Sequence, residues 1–478
     1  MAAGSTGSIP AARELLAAIA ALPNGAIILP GLDTLMEEES WLELGPQHPQ
    51  FIMKQFLEDV SVPRNEVALL PGHGPGARSW LAGEIMRPTA TSESWLPVVR
   101  TQIESISRAL ADLEAVEARD VSEEASVIAL MFRKALTVPG KTASLVTPDR
   151  ELARRVKQEL ADCGIEIDDS AGEPLIRIGA ATFLGLLIDA VAGECAPQKL
   201  LALFKHELCN FGFDADAARN AVSTIELAVF RGSFIPPHPA ELAKSVSDAR
   251  NLIRLSSHVH PAIARKTEAD WKVAADYAEK VSECVVPLVE AGDRPLAMHL
   301  DMLVRSCELA AGPAFWEGEE AEPLRLLVED IQREAGTIAS CSFKSAAFFL
   351  WHRLQVTPFR GRARPPTRLS ILGLLEARLS RPDVVILGGL NEGRWPASPD
   401  SGPWLSRPMR EKLGMQLPER NIGQTAHDFA QGLGCREAYL TWSRRIGNAP
   451  AIPSRWILRL RILVKAAGLI GRLETGQW

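Results

Sequence analysis

The sequence predicts an α/β protein interrupted by a large all-helical insertion. Three observations carry this reading: a helix followed by a short apolar strand near the start, two stretches (119–175 and 346–478) in which short apolar runs alternate with amphipathic helices, and, between them, residues 176–345 with helical periodicity alone. A chain of 478 residues, 46% hydrophobic and 23% charged, has the composition of a soluble globular protein, and its length allows about three domains.

The elements follow in order. Gly4-Ser5-Thr6-Gly7-Ser8 leads through Ile9-Pro10 into an apolar-periodic helix over 11–22, with Ser8 as N-cap and Pro10 in the first turn, where a missing N–H costs nothing. Gly25 to Pro30 reads as a buried strand. A glycine turn at position 4 normally follows a strand, so the fold is expected to be entered midway. Residues 41–118 read as irregular, Pro- and Gly-rich around 71–76, and helical from about 95 to 113. The next α/β unit comprises a helix over 123–136, a strand over 143–147, a helix over 151–160 and an extended 165–167, with Pro148-Asp149 as turn and cap. Helical segments near 181–192, 198–209, 214–230, 239–256, 267–291, 295–310 and 322–335 lack the fixed period of a solenoid. After the basic linker Arg360-Gly361-Arg362-Ala363-Arg364-Pro365-Pro366 come a strand over 369–372, a helical turn over 374–379 and a fully buried parallel strand over 383–387. Its Gly388-Gly389 exit marks a carboxyl end, where α/β proteins bind ligands. Helices opening at Ser406-Arg407-Pro408 and covering 422–433 precede the last strand, 438–442, and Arg444-Arg445.

The apolar stretches 15–22 and 183–188 are too short to span a bilayer and no targeting segment is visible, which points to the cytoplasm. Seven cysteines without a CxxC pair indicate reduced core thiols rather than disulfides or a zinc motif. His206 before Cys209, and the pair His258 and His260, read as a helix face and a solvated loop rather than metal ligands. The net charge of −7 is unevenly spread: residues 351–478 hold 20 Lys and Arg against 9 Asp and Glu. Such a basic quarter suits either a phosphate-binding surface or a patch facing an acidic neighbour.

Gly140-Lys141-Thr142 imitates the end of a phosphate-binding loop, but Ala135 stands where the first glycine is needed, a helix precedes and a strand follows. No complete GxxxxGK[ST] motif occurs, nor an apolar strand ending in paired carboxylates for magnesium, nor the carboxylate and Glu-x-Lys pattern of a two-metal nuclease.

Several runs resemble the AddB family of bacterial double-strand-break repair proteins, in its alphaproteobacterial form: 143–150, 164–172, 371–378, Val385-Ile386-Leu387-Gly388-Gly389-Leu390-Asn391-Glu392-Gly393-Arg394-Trp395-Pro396, 403–410, 418–420, 426–429 and 453–456, with 2–11 and 29–33 fitting as well. The resemblance runs end to end and is strongest over 369–460. It implies RecA-like domains of superfamily-one helicase type, related to P-loop NTPases: 1–118 as the remnant of a first domain, 119–175 and 346–478 as the two parts of a second, and 176–345 as the helical insertion. It also implies a piece lacking the family's N-terminal start and C-terminal nuclease. ATP with magnesium and an iron–sulfur cluster are then expected only in the complete complex, with none in this chain. The implied partners are an AddA-type helicase-nuclease and single- and double-stranded DNA, and the implied role is resection of broken ends for recombination.

By the same resemblance Gly373, Glu376, Arg378, Asn391, Glu392, His427 and Asp428 occupy helicase-motif-like positions. The last strand departs from the helicase pattern Leu-Thr-Arg-Ala, placing Trp442 where a catalytic arginine belongs. No catalytic residue is therefore expected in this chain, though the parent complex is an ATP-dependent enzyme. The residues expected to hold DNA are Arg394, Trp395, Trp404, Arg407, Arg410, Arg420, Arg444, Arg445 and Arg455, because guanidinium forks grip phosphates and flat rings stack bases. For each tryptophan core packing is the stronger reading. The Gly4–Ser8 turn can offer backbone N–H groups to a phosphate or be a plain connection. Rival readings are a helicase half-site completed by a preceding segment, and a structural module that docks a partner.

Overall fold

The computed structural model describes all residues except 71–75, 233, 234, 237, 256–258, 319, 320, 336–339, 360–366, 379 and 475–478. The Pro- and Gly-rich 71–75, His258 and the basic linker 360–366 therefore lie outside the described residues. Along the chain run β1 (Ala2–Ala3), α1 (Pro10–Ala20), β2 (Ile27–Ile28), α2 (Glu38–Leu42), α3 (Phe51–Asp59), α4 (Ala77–Met86), α5 (Trp95–Thr101), α6 (Ile103–Ala109), β3 (Leu113–Ala118), α7 (Val121–Leu136), β4 (Ala143–Val146), α8 (Arg150–Ala161) and β5 (Asp168–Asp169). Next come β6 (Glu173–Pro174), α9 (Gly179–Ala192), α10 (Pro197–Phe204), α11 (Ala215–Ile225), α12 (Leu242–Leu255), α13 (Pro261–Ala264), α14 (Glu268–Val289), α15 (Leu296–Ala311), α16 (Ala321–Glu334), α17 (Phe343–Val356) and β7 (Pro358–Phe359). The chain closes with β8 (Leu369–Leu372), α18 (Leu374–Ala377), β9 (Val384–Leu387), α19 (Arg407–Lys412), α20 (Arg420–Leu433), β10 (Glu437–Ser443), β11 (Arg445–Ile446), β12 (Ala449–Pro450), α21 (Arg455–Ala466) and α22 (Ile470–Leu473).

The contacts divide the chain into two compact units, 1–171 with 364–478, and 172–363. The first contains a six-stranded, all-parallel sheet in the order β3-β10-β9-β4-β8-β5. Because side chains alternate along a strand, its two faces bury different sets. Val385, Leu387, Val146, Leu440 and Trp442 meet Ile422, Phe429 and Ile457 from α20 and α21. Val384, Ile386, Leu145, Ile371 and Tyr439 meet Ile128, Phe132, Leu152 and Val156 from α7 and α8. Helices thus cover both faces, and the fold class is α/β with a parallel sheet. A separate parallel pair, β1 with β2, precedes it.

The connection leaving β4 runs to β5, on one side of it, whereas that leaving β9 runs to β10, on the other. The chain reverses direction between β4 and β9, and their carboxyl ends, Thr147 to Asp149 and Gly388 to Asn391, flank that point.

In the second unit α9 to α17 bury one core, including Phe183, Leu187, Ile225, Leu288, Leu303 and Leu350. Tyr277 lies at its centre, edge-on to Phe204 and Phe211, and its hydroxyl donates to the Cys209 carbonyl at 2.7 Å. Antiparallel pairing of β6 with β7 brings the ends of this unit together.

Some element expectations need correction. Leu113 to Ala118, expected as the tail of a helix and the start of irregular chain, is an edge strand, while the extended segment expected at 165–167 pairs only at Asp168 and Asp169. The helix α17 and the basic helix α21 were not anticipated.

Candidate nucleic-acid interface

The carboxyl ends of β9 and β10 are tied by a buried carboxylate. Glu124, in the first turn of α7, accepts from the Gly389 amide at 2.8 Å, from the Thr441 hydroxyl at 2.7 Å and from the Ser443 hydroxyl. Burial raises its pKa, and these donors oppose the rise. Gly388 and Gly389 are both required here. A Cβ on Gly388 would stand 2.7 Å from Leu145 Cδ1, and Gly389 has φ 72°, a left-handed conformation that costs glycine little.

Asn391 knots the same edge. Its side-chain amide donates to the Ser443 carbonyl at 2.7 Å while its oxygen accepts from the Ser443 amide at 3.2 Å. Glu392 receives the Arg455 Nε at 3.0 Å, its amide donates to the Ile452 carbonyl at 2.9 Å, and the pairing pushes the Arg455 pKa up. Arg394, in the same loop, pairs with Asp149. Arg444 reaches Glu117 on β3 at 2.9 Å, and the Trp442 indole donates to the same carboxylate at 3.1 Å. Burial alone would raise the Glu117 pKa, but these two donors hold it below the usual carboxylate range. The structure therefore brings Arg394, Arg444, Arg445 and Arg455 to one edge with Asn391 and Glu392.

These arginines differ in availability. Arg444, Arg445 and Arg455 are largely exposed, and an exposed ion pair is worth only about 0–1 kcal/mol, so a phosphate can replace its carboxylate at little cost. Arg394 is fixed on a buried Asp149 that also caps α8 by accepting from the Glu151 and Leu152 amides at 3.0 and 3.2 Å. Asp120 caps α7 in the same way. Both helix N-termini beside this edge hold the protein's own carboxylates where a phosphate would otherwise lie.

The other expected contacts sit elsewhere. Trp395 is corrected: it is 0% exposed, packs edge-on to Phe429 and Trp456, and donates its indole N–H to the Gly388 carbonyl at 3.1 Å, so it has no face for a base. Trp442 and Trp456 are likewise core residues, whereas Trp404 is 87% exposed. Arg407 pairs with Glu419, and Arg410 donates to the Ser401 carbonyl at 2.8 Å. Arg420 opens α20. Gly373 precedes α18, with the exposed Glu376 carboxylate folded close to it. Arg378 holds Asp428 through two bonds of 2.6 and 3.0 Å, joining the end of α18 to α20. Burial raises the Asp428 pKa against the pull of Arg378. His427 is buried beside them, its pKa pushed down to about 4 by burial and by Arg378, with Nε2 unpartnered.

Lys141, in the imitation phosphate loop, lies at the opposite, amino end of the sheet and pairs with Glu437, while Thr142 bonds Asp383 at 2.8 and 2.9 Å. His206 stacks on Phe183, and His260 caps α13 through Nδ1. Glu124 and Glu117 went unnoticed in the sequence, where they resemble ordinary helix-end or strand acids, and Asp149 was expected as the cap of α8, which it is, but not as the partner of Arg394. No known protein-family model matches the chain, and no curated protein matches it.

Proposed function

We propose that the chain is a helicase-fold, DNA-binding subunit of AddB type that holds a single strand while an AddA-type partner supplies ATP hydrolysis. One observation carries the reading: exposed Arg444, Arg445 and Arg455 converge at the carboxyl edge of a parallel sheet, around the Asn391 knot, beside its reversal point. The end of β10 and the start of α21 position these residues, and the exposed pairs of Arg444 with Glu117 and of Arg455 with Glu392 can give way to phosphates. The capped N-termini of α7 and α8 favour a role without nucleotide turnover at this edge. In this reading the two RecA-like portions guide DNA, and ATP, magnesium and an iron–sulfur cluster belong to other parts of the complex.

Fluorescence anisotropy with a labelled oligo(dT) tests it. Affinity should fall as salt rises, and removing two phosphate contacts by Arg444→Ala with Arg445→Ala should lower the log–log slope by about 1.4. Affinity that ignores salt, or a double variant with an unchanged slope, removes this reading.

A further inference from the structure

A second cationic place lies at the turn between β1 and α1. Gly4 and Gly7 adopt φ of 78° and 69°, which lets Gly4–Ser8 bend tightly ahead of α1. That helix begins without a side-chain cap, since its N-cap is Ile9, and has no acidic residue in its first turn. Thr6 is 4% exposed, yet its hydroxyl has no partner. Among the described residues no bond uses the amides of Ser5, Thr6 or Ser8. Gln416 fastens the lead into α20 to this turn by donating to the Ser8 carbonyl at 2.6 Å.

Arg420, the first residue of α20, presents Nε and Nη2 as buried donors without an acceptor. Another cation, Arg13, acts on it, and the Arg13 side chain lies against Gly7. Asp59 holds Arg13 at 2.9 Å, and Glu419 holds Arg407 through Oε1, its buried Oε2 having no partner. Buried donors are rarely left unmet, and Arg420 Nε and Nη2, facing a second cation already held by Asp59, are suited to receive an anion.

We propose that the Gly4–Ser8 turn, the Thr6 hydroxyl, the open N-terminus of α1 and the Arg420 guanidinium form a binding site for a phosphate group. Backbone amides and the helix terminus meet its oxygens on one side, and the arginine fork meets them on the other. The site is distinct from the Arg444 and Arg445 edge and does not rest on the reading of that edge.

The test is calorimetry on the full chain at constant ionic strength, with inorganic phosphate, AMP and an oligo(dT) lacking a terminal phosphate. Saturable phosphate binding is expected, weakened about tenfold or more by Arg420→Gln and clearly weakened by Thr6→Val. Thr6→Val keeps the side-chain shape, so it carries the test if Arg420→Gln unfolds. AMP competing with phosphate while the oligonucleotide does not identifies a free phosphate monoester, whereas oligonucleotide binding lost in Arg420→Gln identifies a strand phosphodiester. The Arg444→Ala and Arg445→Ala variant should bind phosphate normally, which separates failure here from failure of the DNA reading. No saturable phosphate binding, or binding that survives both Arg420→Gln and Thr6→Val, overturns the proposal.

Discussion

Glu124 accepts three hydrogen bonds in a place closed to water, so its shape matters more than its charge. Glutamine can still accept from Gly389 and Thr441 and can donate to the Ser443 oxygen, so Glu124→Gln should cost less than about 1 kcal/mol. Leucine strands one amide and two hydroxyls. At about 1–3 kcal/mol for each unmet buried group, discounted because the hydroxyls can rotate, Glu124→Leu should cost at least about 3 kcal/mol in urea unfolding. Equal losses in the two variants would contradict this account. His427 makes a pH prediction. Its folded pKa is depressed to about 4 from 6.5, so the neutral ring is favoured by the fold. The stability that this contributes is complete above about pH 6.5 and is lost as pH falls through about 4, at up to about 1.4 kcal/mol per unit. Urea midpoints at pH 7 and pH 5 should diverge more for the native chain than for His427→Gln, and an identical divergence would rule out His427 as the titrating group.

Among the elements, α20 shows most clearly how close packing reverses an ordinary preference. Alanine is a better helix former than glycine by about 1 kcal/mol. At Gly423, however, an added Cβ would stand 2.6 Å from the Pro46 carbonyl oxygen and 2.9 Å from that of His48, both backbone atoms with little room to retreat. Overpacking of this kind costs about 1–3 kcal/mol, so Gly423→Ala should lower the melting temperature. Gly471 in α22 meets nothing within 4 Å, and Gly471→Ala should be neutral or slightly stabilising. If Gly423→Ala raised the melting temperature instead, the close approach between α20 and residues 46–48 would be wrong. The same scale explains what the sequence made legible. Strands β4, β9 and β10 are short apolar runs closed by Pro, Gly or basic residues, and they were read within a residue or two of their places. β3 was not, because Leu-Glu-Ala-Val-Glu-Ala alternates with glutamates that suit a helix as well as an edge strand. α21 was missed because Arg455, Arg459 and Arg461 resemble a basic surface, although Trp456, Ile457 and Leu460 between them are buried. Of the candidate site, the edge arginines were legible from Gly388-Gly389 and Arg444-Arg445. Their carboxylate partners were not, because Glu117 and Asp149 come from strands and turns distant in sequence.

At the scale of the molecule, the separation of hydrophobic cores sets what can fold alone. Every residue of the helical core, buried or partly buried, falls between Leu175 and Phe359, and none belongs to either face of the six-stranded sheet. The ends of that unit are paired to each other, Glu173 opposite Phe359, so excision leaves two adjacent termini rather than a torn sheet. Its interior holds polar groups that are satisfied locally, such as the Tyr277 hydroxyl on the Cys209 carbonyl and the Ser306 hydroxyl on the Cys284 carbonyl at 2.9 Å. A segment of this size with one contiguous core exceeds the length at which small domains need disulfides or metals to persist. Residues 172–359 expressed alone should therefore give a helical circular dichroism spectrum and a single cooperative thermal transition. They should also show dispersed methyl resonances, which a collapsed but unpacked chain lacks. A broad, non-cooperative melt with strong dye binding would mean that the helical core needs the sheet-bearing unit to settle into one packing, and the two cores would then be one folding unit despite sharing no residue.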